Sequence, residues 1–417
     1  MSMNIGVSGL KAAQQELDVT GHNIANVDVV GFKSFRSMFA DVYAESGGKM
    51  AQVSGVLTQG TSQRFNQGIL QTTGSSLDMG IEGSGFFVLS GDGNTFYSRA
   101  GYFGLSRNDD LVNNQGFKVQ GFQVDDKGEV VAGALGDIHI ERKSIPARAT
   151  SQISAAINLD ARDSMIPAMV FDEHQPSSYN WATTFGLYDS LGVPHQLTLF
   201  TVLADSDSST WDLFYRLDDQ MLKDVSDPAH PVFRKDQLAF NGDGSIKSGG
   251  LVTLDGNDSK LSGLEPGGGA LPLVLNLDLS STTQFGQDYS IAAINQDGYT
   301  SGKMNAVQVD TGGLVQVLYS NGLKATQGQV ALATFTNDNG LVATGNSSWQ
   351  ATRDAGDPTY TQSGTGGAGV INAQRLESSN VDLSSELVQL IVAQRNYQAN
   401  ARTLKAEDVV MQALLTV

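Results

Sequence analysis

Ser8 and Lys11 stand three apart in SGLK, the S-x-x-K spacing that on a helix sets a lysine one turn from a serine nucleophile. Ser378-Ser379-Asn380 resembles the second motif of such acyl-transfer sites, but no Lys-Thr-Gly follows, and a pocket at Ser8 would lack walls. Gly364 to Gly369 reads GTGGAG and satisfies G-x-G-x-x-G, in which glycines let a backbone cradle a pyrophosphate at a helix start. The preceding RDAGDPTYTQS offers no strand, so a flexible linker is expected there. DGNDSKLSGLEP, from Asp255 to Pro266, puts oxygens at the first, third and fifth positions of a calcium loop. Lys260 then replaces the required glycine and Pro266 the required glutamate, which predicts an ordinary loop.

His22, His139, His174, His195 and His230 are scattered, with no paired metal-binding spacing. The doublets Asp109-Asp110 and Asp218-Asp219 read as solvated turns; paired catalytic carboxylates drawn from separate elements stay open. The chain has no cysteine, which removes thiolate catalysis, disulfides and Cys-ligated metal. No catalytic, cofactor or metal site is expected, and the chain reads as a non-enzyme.

The elements that would position any site therefore become the informative part. Met3, Leu10, Leu17 and Ile24 fall seven apart, with Gly6, Ala13, Thr20 and Val27 as a weak second row, which predicts a heptad helix over 1–27. Leu383, Leu387, Leu390, Gln394, Tyr397, Ala401, Leu404, Asp408, Met411 and Leu415 alternate spacings of four and three, with Asp382 as N-cap. Residues 370–417 hold neither glycine nor proline, so a long helix is expected there. Val388, Ile391 and Val392 widen its apolar surface beyond what one partner helix covers.

Between the ends, short alternating runs are cut by turns at Asp92-Gly93, Asp126-Lys127-Gly128 and Asn321-Gly322. The expected fold is mainly β and multidomain, with coiled-coil-like helices at both ends and one β domain nested in another. Its parts are 1–27 plus 370–417 as terminal helices, and 28–74 plus 361–369 as connecting segments. Residues 75–144 plus 290–360 form a discontinuous β domain, and 145–289 an inserted outer β domain.

A net charge of −18 with no basic run argues against nucleic-acid binding. The first 50 residues and residues 370–417 are nearly neutral, so the charge sits in the middle, as a solvated and self-repelling exterior. No stretch reaches the ~20 apolar residues of a membrane helix, and neither a basic leader nor an apolar signal core is expected at the start.

LDVTGHNIANVDVVGFKS, from Leu17 to Ser34, resembles the N-terminal signature of the bacterial flagellar axial proteins of rod and hook, and LESSNVDLSSELVQLIVAQRNYQANARTLKAEDVVMQALL their C-terminal one. LDMGIEGSGFFVL, continuing to FYSRAGYFGLSRNDDLVNNQGFKVQGF, is similar to the core that hook and distal rod members share. In that family an insertion like 145–289 marks the hook members, with the distal rod members as the alternative; a secreted β-rich enzyme or adhesin is the rival of another class.

The resemblance implies a helical tube with the paired terminal helices innermost. Further implied partners are the distal rod, the hook-capping scaffold, the hook–filament junction protein and the flagellar type III export apparatus, with final location outside the cell. The residues expected at subunit contacts are Leu10, Leu17, Asn23, Ile24, Asn26, Gly31, Phe32, Leu387, Leu390, Gln394, Tyr397, Leu404 and Met411. Asn23 and Asn26 are expected to end the first helix, Gly31 to allow a turn, and Phe32 to anchor it.

Overall fold

A computed structural model of the chain describes residues 2–44, 52–125, 128–166, 171–205, 209–227 and 229–415. The fold is mainly β, with α-helices at the two ends. Two compact units divide the chain: unit 1 comprises 1–142, 305–318 and 324–417, and unit 2 comprises 143–304 and 319–323.

In unit 1 the first helix, α1 (Ser2–Ala25), leads into a long antiparallel hairpin of β1 (Phe35–Ala44) and β2 (Gln52–Gln63), which lies along it. Sequence placed this stretch among the connecting segments. Its strands are bulged near Met38/Phe39 and Asp41/Tyr43, and they leave Met38, Phe39, Val56 and Leu57 well exposed, so no clean alternation marks them. A thirteen-stranded sheet follows, its central path running through Lys324–Val330, Lys118–Val124, Phe86–Gly91 and Asn94–Ser98. Asp92-Gly93 makes the tight turn between the last two strands, with Gly91 paired to Asn94. Asp126 and Lys127 lie outside the described residues. Phe86, Val88, Tyr97, Ala333 and Trp349 fill one core, extended by the edge-on rings of Phe65 and Phe335.

The last helix, α2 (Leu383–Leu415), begins later than the missing glycines suggested. Residues 370–377 are instead strands: Val370–Ala373 pairs with Met79–Glu82, and Arg375–Glu377 pairs with Leu70–Thr72. Freedom from glycine and proline permits a helix without requiring one. Here burial of Ile371 opposite Ile81 and of Glu377 decides for extended backbone. The expected linker at Gly364–Gly369 is a closed turn, with Gly364 N–H donating to the Gly369 carbonyl (2.9 Å) and Gly369 N–H to the Ser84 carbonyl (2.7 Å). A strand follows it rather than a helix, so its amides have no pyrophosphate site to build.

Unit 2 is a β-sandwich. A five-stranded sheet built on Gln152–Asp160 and a six-stranded sheet built on Pro194–Asp205 enclose Ile153, Leu199, Trp211, Tyr215 and Leu277. Strand Ser290–Gln296, which sequence assigned to the other β domain, pairs antiparallel with Gln152–Asp160 and so belongs here. Asn321-Gly322 lies in the turn Tyr319–Leu323, where Asn321 Nδ2 donates to the Thr300 carbonyl (2.8 Å).

His195, at the start of the long central strand, is buried between Asp218 (Nδ1 to Oδ2, 2.7 Å) and Asp189 (Nε2 to Oδ2, 3.4 Å). Burial alone would lower the imidazole pKa, but the two carboxylates outweigh it and hold the pKa above its ordinary value. Because the folded-state pKa is raised, this contribution is complete below the unfolded value of about 6.5 and is lost as pH rises through the folded value. The melting temperature of unit 2 should therefore fall by roughly a few degrees from pH 6 to alkaline pH. A His195→Asn chain should show a flatter profile in pH-resolved calorimetry.

Candidate assembly interface

Helix α1 ends where its asparagines begin to bond. Asn26 Nδ2 donates to the His22 carbonyl (2.8 Å), a local helix exit. Asn23 reaches further: its amide pairs with Phe35 as a strand neighbour would, donating to the Phe35 carbonyl (2.8 Å) and accepting from its N–H (2.9 Å). The same Nδ2 donates to Glu386 Oε1 on α2 (3.2 Å), so one buried side chain joins α1, β1 and α2.

Gly31 then turns the chain with φ of +70°, and its N–H donates to the Glu377 carbonyl (2.7 Å). A Cβ there would stand 2.5 Å from the Ala100 nitrogen, so both its conformation and its surroundings require glycine. Phe32 is buried, its ring 5.7 Å from that of His22 and 6.1 Å from that of Phe35.

Lys33, which follows, is fully buried, and Glu377 and Arg99 complete a charged triad. Lys33 Nζ lies 2.6 Å from Glu377 Oε1 and 2.7 Å from the Asn66 carbonyl. Arg99 donates to Glu377 Oε2 (3.0 Å) and to the Gly83 carbonyl (2.8 Å), with its guanidinium 5.2 Å from the centre of the Phe86 ring. Gly68 N–H donates to Glu377 Oε1 (2.8 Å). Burial lowers the Lys33 pKa, with the Glu377 charge working against that shift. Asn380, two residues before the α2 cap, accepts from Ser34 N–H (2.7 Å) and donates to the carbonyls of Arg64 and Asn66. This node ties the exit from α1, the base of the hairpin, the β sheet and the entry to α2 into one piece. Sequence reasoning missed Arg99 and Glu377, weighed Asn380 only as part of an acyl-transfer motif, and read Lys33 only as part of a turn.

From the node the two helices run antiparallel. Gly6, Ala13, Thr20 and Asn23 are the buried row of α1, with Leu10, Leu17 and Ile24 half-buried beside them. A Cβ on Gly6 would meet Leu404 at 3.0 Å and one on Gly9 would meet Asn400 at 2.9 Å, so the small residues set how closely α2 approaches. On α2 the facing residues are Glu386, Leu390, Ala393, Tyr397, Asn400 and Leu404.

Leu390, Tyr397 and Leu404 thus lie in the seam the spacing predicted, whereas Leu387, Gln394 and Asp408 are exposed on its outer flank. The seam is turned because α1 presents its small row and because the Asn23–Glu386 bond fixes the rotation of α2. The side chain of Met411 lies outside those described. With the inner seam filled, Leu387 (44% exposed), Val388 (61%), Ile391 (50%) and Val392 (49%) form an uncovered apolar strip.

The remaining motifs hold structure. Ser8 Oγ donates to the Ile5 carbonyl and accepts from Val56 N–H, while Lys11 is exposed. Asp255 and Asp258 accept from the N–H groups of Asn257 and Lys260, making turns. Among the described residues no cluster of His, Asp or Glu could hold a metal ion, and no helix is long and apolar enough to cross a membrane.

Four family models match the chain. Flagella basal body rod protein covers residues 3–33, Flagellar hook protein FlgE/F/G D1 domain covers 80–159, Flagellar basal body protein FlaE D2 domain covers 158–299, and Flagellar basal body rod FlgEFG protein C-terminal covers 372–417. The flagellar hook protein FlgE of Salmonella typhimurium is 36% identical, with 100% of each chain covered. That of Borreliella burgdorferi is 31% identical, covering 99% of this chain and 98% of the relative. The crystal structure of Helicobacter pylori flagellar hook protein FlgE2 shares the fold, with a TM-score of 0.52 at 15% identity over 74% of this chain and 100% of that one.

Helices, node and nested β units together define a structural protein of the flagellar rod and hook class. Within that class, the chain belongs to the flagellar hook protein family.

Proposed function

We propose that this chain polymerises through α1 and α2 into the curved, flexible tube of the flagellar hook, a joint that passes torque from rod to filament. The observation behind this reading is the strip of Leu387, Val388, Ile391 and Val392, left open although α2 already has its partner in α1. Burying the exposed half of each such side chain contributes roughly 1 kcal/mol, and repeated head-to-tail contacts that do not close generate a filament. In this reading the node holds the helix pair at a fixed attitude, and the acidic outer domain meets its neighbours through wet contacts that slide during bending.

The seam and turn residues Leu10, Leu17, Asn23, Ile24, Asn26, Gly31, Phe32, Leu390, Tyr397 and Leu404 serve assembly, some by touching neighbours and others by shaping the helix pair, and Leu387 and Gln394 on the outer flank, together with Met411, serve it by touching neighbours. Export occurs through the flagellar type III apparatus. Beyond further copies, the partners are the distal rod below, the capping scaffold during growth and the hook–filament junction protein above. Electron microscopy of the purified chain tests this: curved tubes are expected above a threshold concentration, and a chain that stays monomeric at every concentration would overturn it.

A further inference from the structure

An asparagine followed by glycine is open to attack of the glycine nitrogen on the side-chain amide, because glycine adds no side chain to obstruct ring closure. The chain holds three such pairs: Asn241-Gly242, Asn321-Gly322 and Asn339-Gly340. The fold restrains two of them. Gly322 N–H donates to the Tyr319 carbonyl (3.0 Å), and the Asn321 side chain is held at both ends, donating to the Thr300 carbonyl (2.8 Å) and accepting from Leu323 N–H (3.2 Å). Gly340 N–H donates to the Asn337 carbonyl (3.1 Å), and the residue is packed so that a Cβ would stand 2.3 Å from the Ala355 nitrogen. Gly242 has neither restraint. It is exposed, its N–H makes no hydrogen bond among the described residues, and a Cβ there would meet nothing within 4 Å. Asn241 is exposed beside it, its Nδ2 donating to Ser245 Oγ (3.0 Å) and more weakly to the Ile246 carbonyl (3.4 Å).

The turn that carries this pair ties together the two sheets of unit 2. It connects Lys235–Phe240 to Ile246–Ser248 in the six-stranded sheet, while the Gly244 carbonyl accepts from Gln284 N–H (2.9 Å) on a strand of the five-stranded sheet. Gly244, at φ of +82°, is seated so closely on Phe285 that a Cβ would stand 2.7 Å from its ring. Within the turn, Asp243 accepts from Ser245 N–H (2.9 Å) and Oγ (2.6 Å).

We propose that Asn241 is a self-modification site, converted to aspartate and isoaspartate by reaction with Gly242 and water, and that the conversion loosens the turn between the sheets. The Gly242 nitrogen gives its proton to hydroxide and attacks Asn241 Cγ. The bond from Cγ to Nδ2 breaks, the leaving nitrogen takes a proton from water and departs as ammonia, and a five-membered imide closes. Water then opens either carbonyl of that ring, so an amide becomes a carboxylate with no change of oxidation state. Both products lose the Nδ2 donor to Ser245 and Ile246 and set a second carboxylate near Asp243. Isoaspartate also lengthens the main chain by one carbon, inside a turn closed by Asn241 N–H to the Ser245 carbonyl (2.7 Å) and Gly244 N–H to the Asn241 carbonyl (3.0 Å). The change accumulates with the age of the chain and is independent of the polymer reading above.

The test holds the full-length chain in mildly alkaline buffer made with heavy-oxygen water, which labels each new carboxylate, and follows the three sites by peptide mapping and mass spectrometry. An amide held in a hydrogen bond must open before it reacts. Asn241 should therefore convert at least about tenfold faster than Asn321 and Asn339, the ratio that a barrier difference of about 1.4 kcal/mol gives. Gly242 is not among the positive-φ glycines and has free space around it, so Gly242→Ala should fold as the parent does. It should nevertheless slow conversion at Asn241 about tenfold, because the added carbon crowds the attacking nitrogen. Asn241→Asp represents one product made in full, and calorimetry should place the melting of its unit 2 about 2–4 °C below the parent, as loss of one hydrogen bond does in a domain of this size.

No conversion at any pair, equal rates at all three, or faster reaction at Asn321 or Asn339 would overturn the site. An Asn241→Asp chain that melts with the parent would overturn the loosening of the turn. Neither outcome depends on whether tubes form, so the two readings fail separately.

Discussion

Replacing Glu377 by glutamine should destabilise unit 1 by about 3–5 kcal/mol near neutral pH, the usual consequence of removing one member of a buried ionic group. The glutamine keeps the shape but removes the one carboxylate that Lys33 and Arg99 contact, leaving only the more distant charge of Asp338 to act on two buried cations. The triad's net contribution to stability is smaller than this loss, because burying three charges is itself costly.

The pH dependence identifies the cause. Burial already lowers the Lys33 pKa with Glu377 present, and loss of that anion lowers it further. Between the depressed folded value and the unfolded value of about 10.4, the unfolded chain binds more protons, so the variant's stability should climb as pH rises through that window. Hydrogen exchange at amides of Phe86–Gly91, read as opening free energy, measures both the loss and its recovery. Lys33→Met combined with Glu377→Gln should recover part of the loss in a double-mutant cycle. A Glu377→Gln chain within about 1 kcal/mol of the parent at neutral pH would mean that the node does not hold unit 1 together.

The node shows where reading a sequence stops. Lys33 and Glu377 meet across 344 residues and Arg99 and Glu377 across 278, so no spacing rule connects them. Gly31 and Phe32 were legible because a turn glycine followed by an aromatic is a local signal, and the structure gives them the positive φ and burial that signal implies. Asn26 likewise acts within its own turn, whereas Asn23 bonds twelve residues ahead and across to α2, which helix-ending chemistry does not predict.

The heptads of the two ends announced helices, yet the buried row of α1 is the small one. Apolar scales undervalue Gly6, Ala13 and Thr20, although their size is what lets α2 come close. The same neglect turned the expected α2 seam by one flank and hid the openness of Leu387. The strands at 370–377 were masked by a composition that tolerates helix, and the hairpin of β1 and β2 by exposed apolar residues and bulges that spoil its alternation.

That openness yields the second large effect. Leu387 and Ile391 lie one turn apart on the outer side of α2, each about half exposed, so aspartate at both removes little from the isolated chain. Helix propensity accounts for a cost of up to roughly 0.7 kcal/mol per site, and the Asn23–Glu386 bond and the filled seam remain. Inside an assembled tube the same positions would carry two charges into an apolar contact, a penalty large enough to raise the critical concentration about a hundredfold or more.

Sedimentation of the Leu387→Asp, Ile391→Asp chain beside its parent, with circular dichroism melting of both monomers, is the most direct measurement. The expected result is near-equal melting and tubes from the parent alone. Tubes from both chains at similar concentrations would contradict the claim that the outer face of α2 is where copies join.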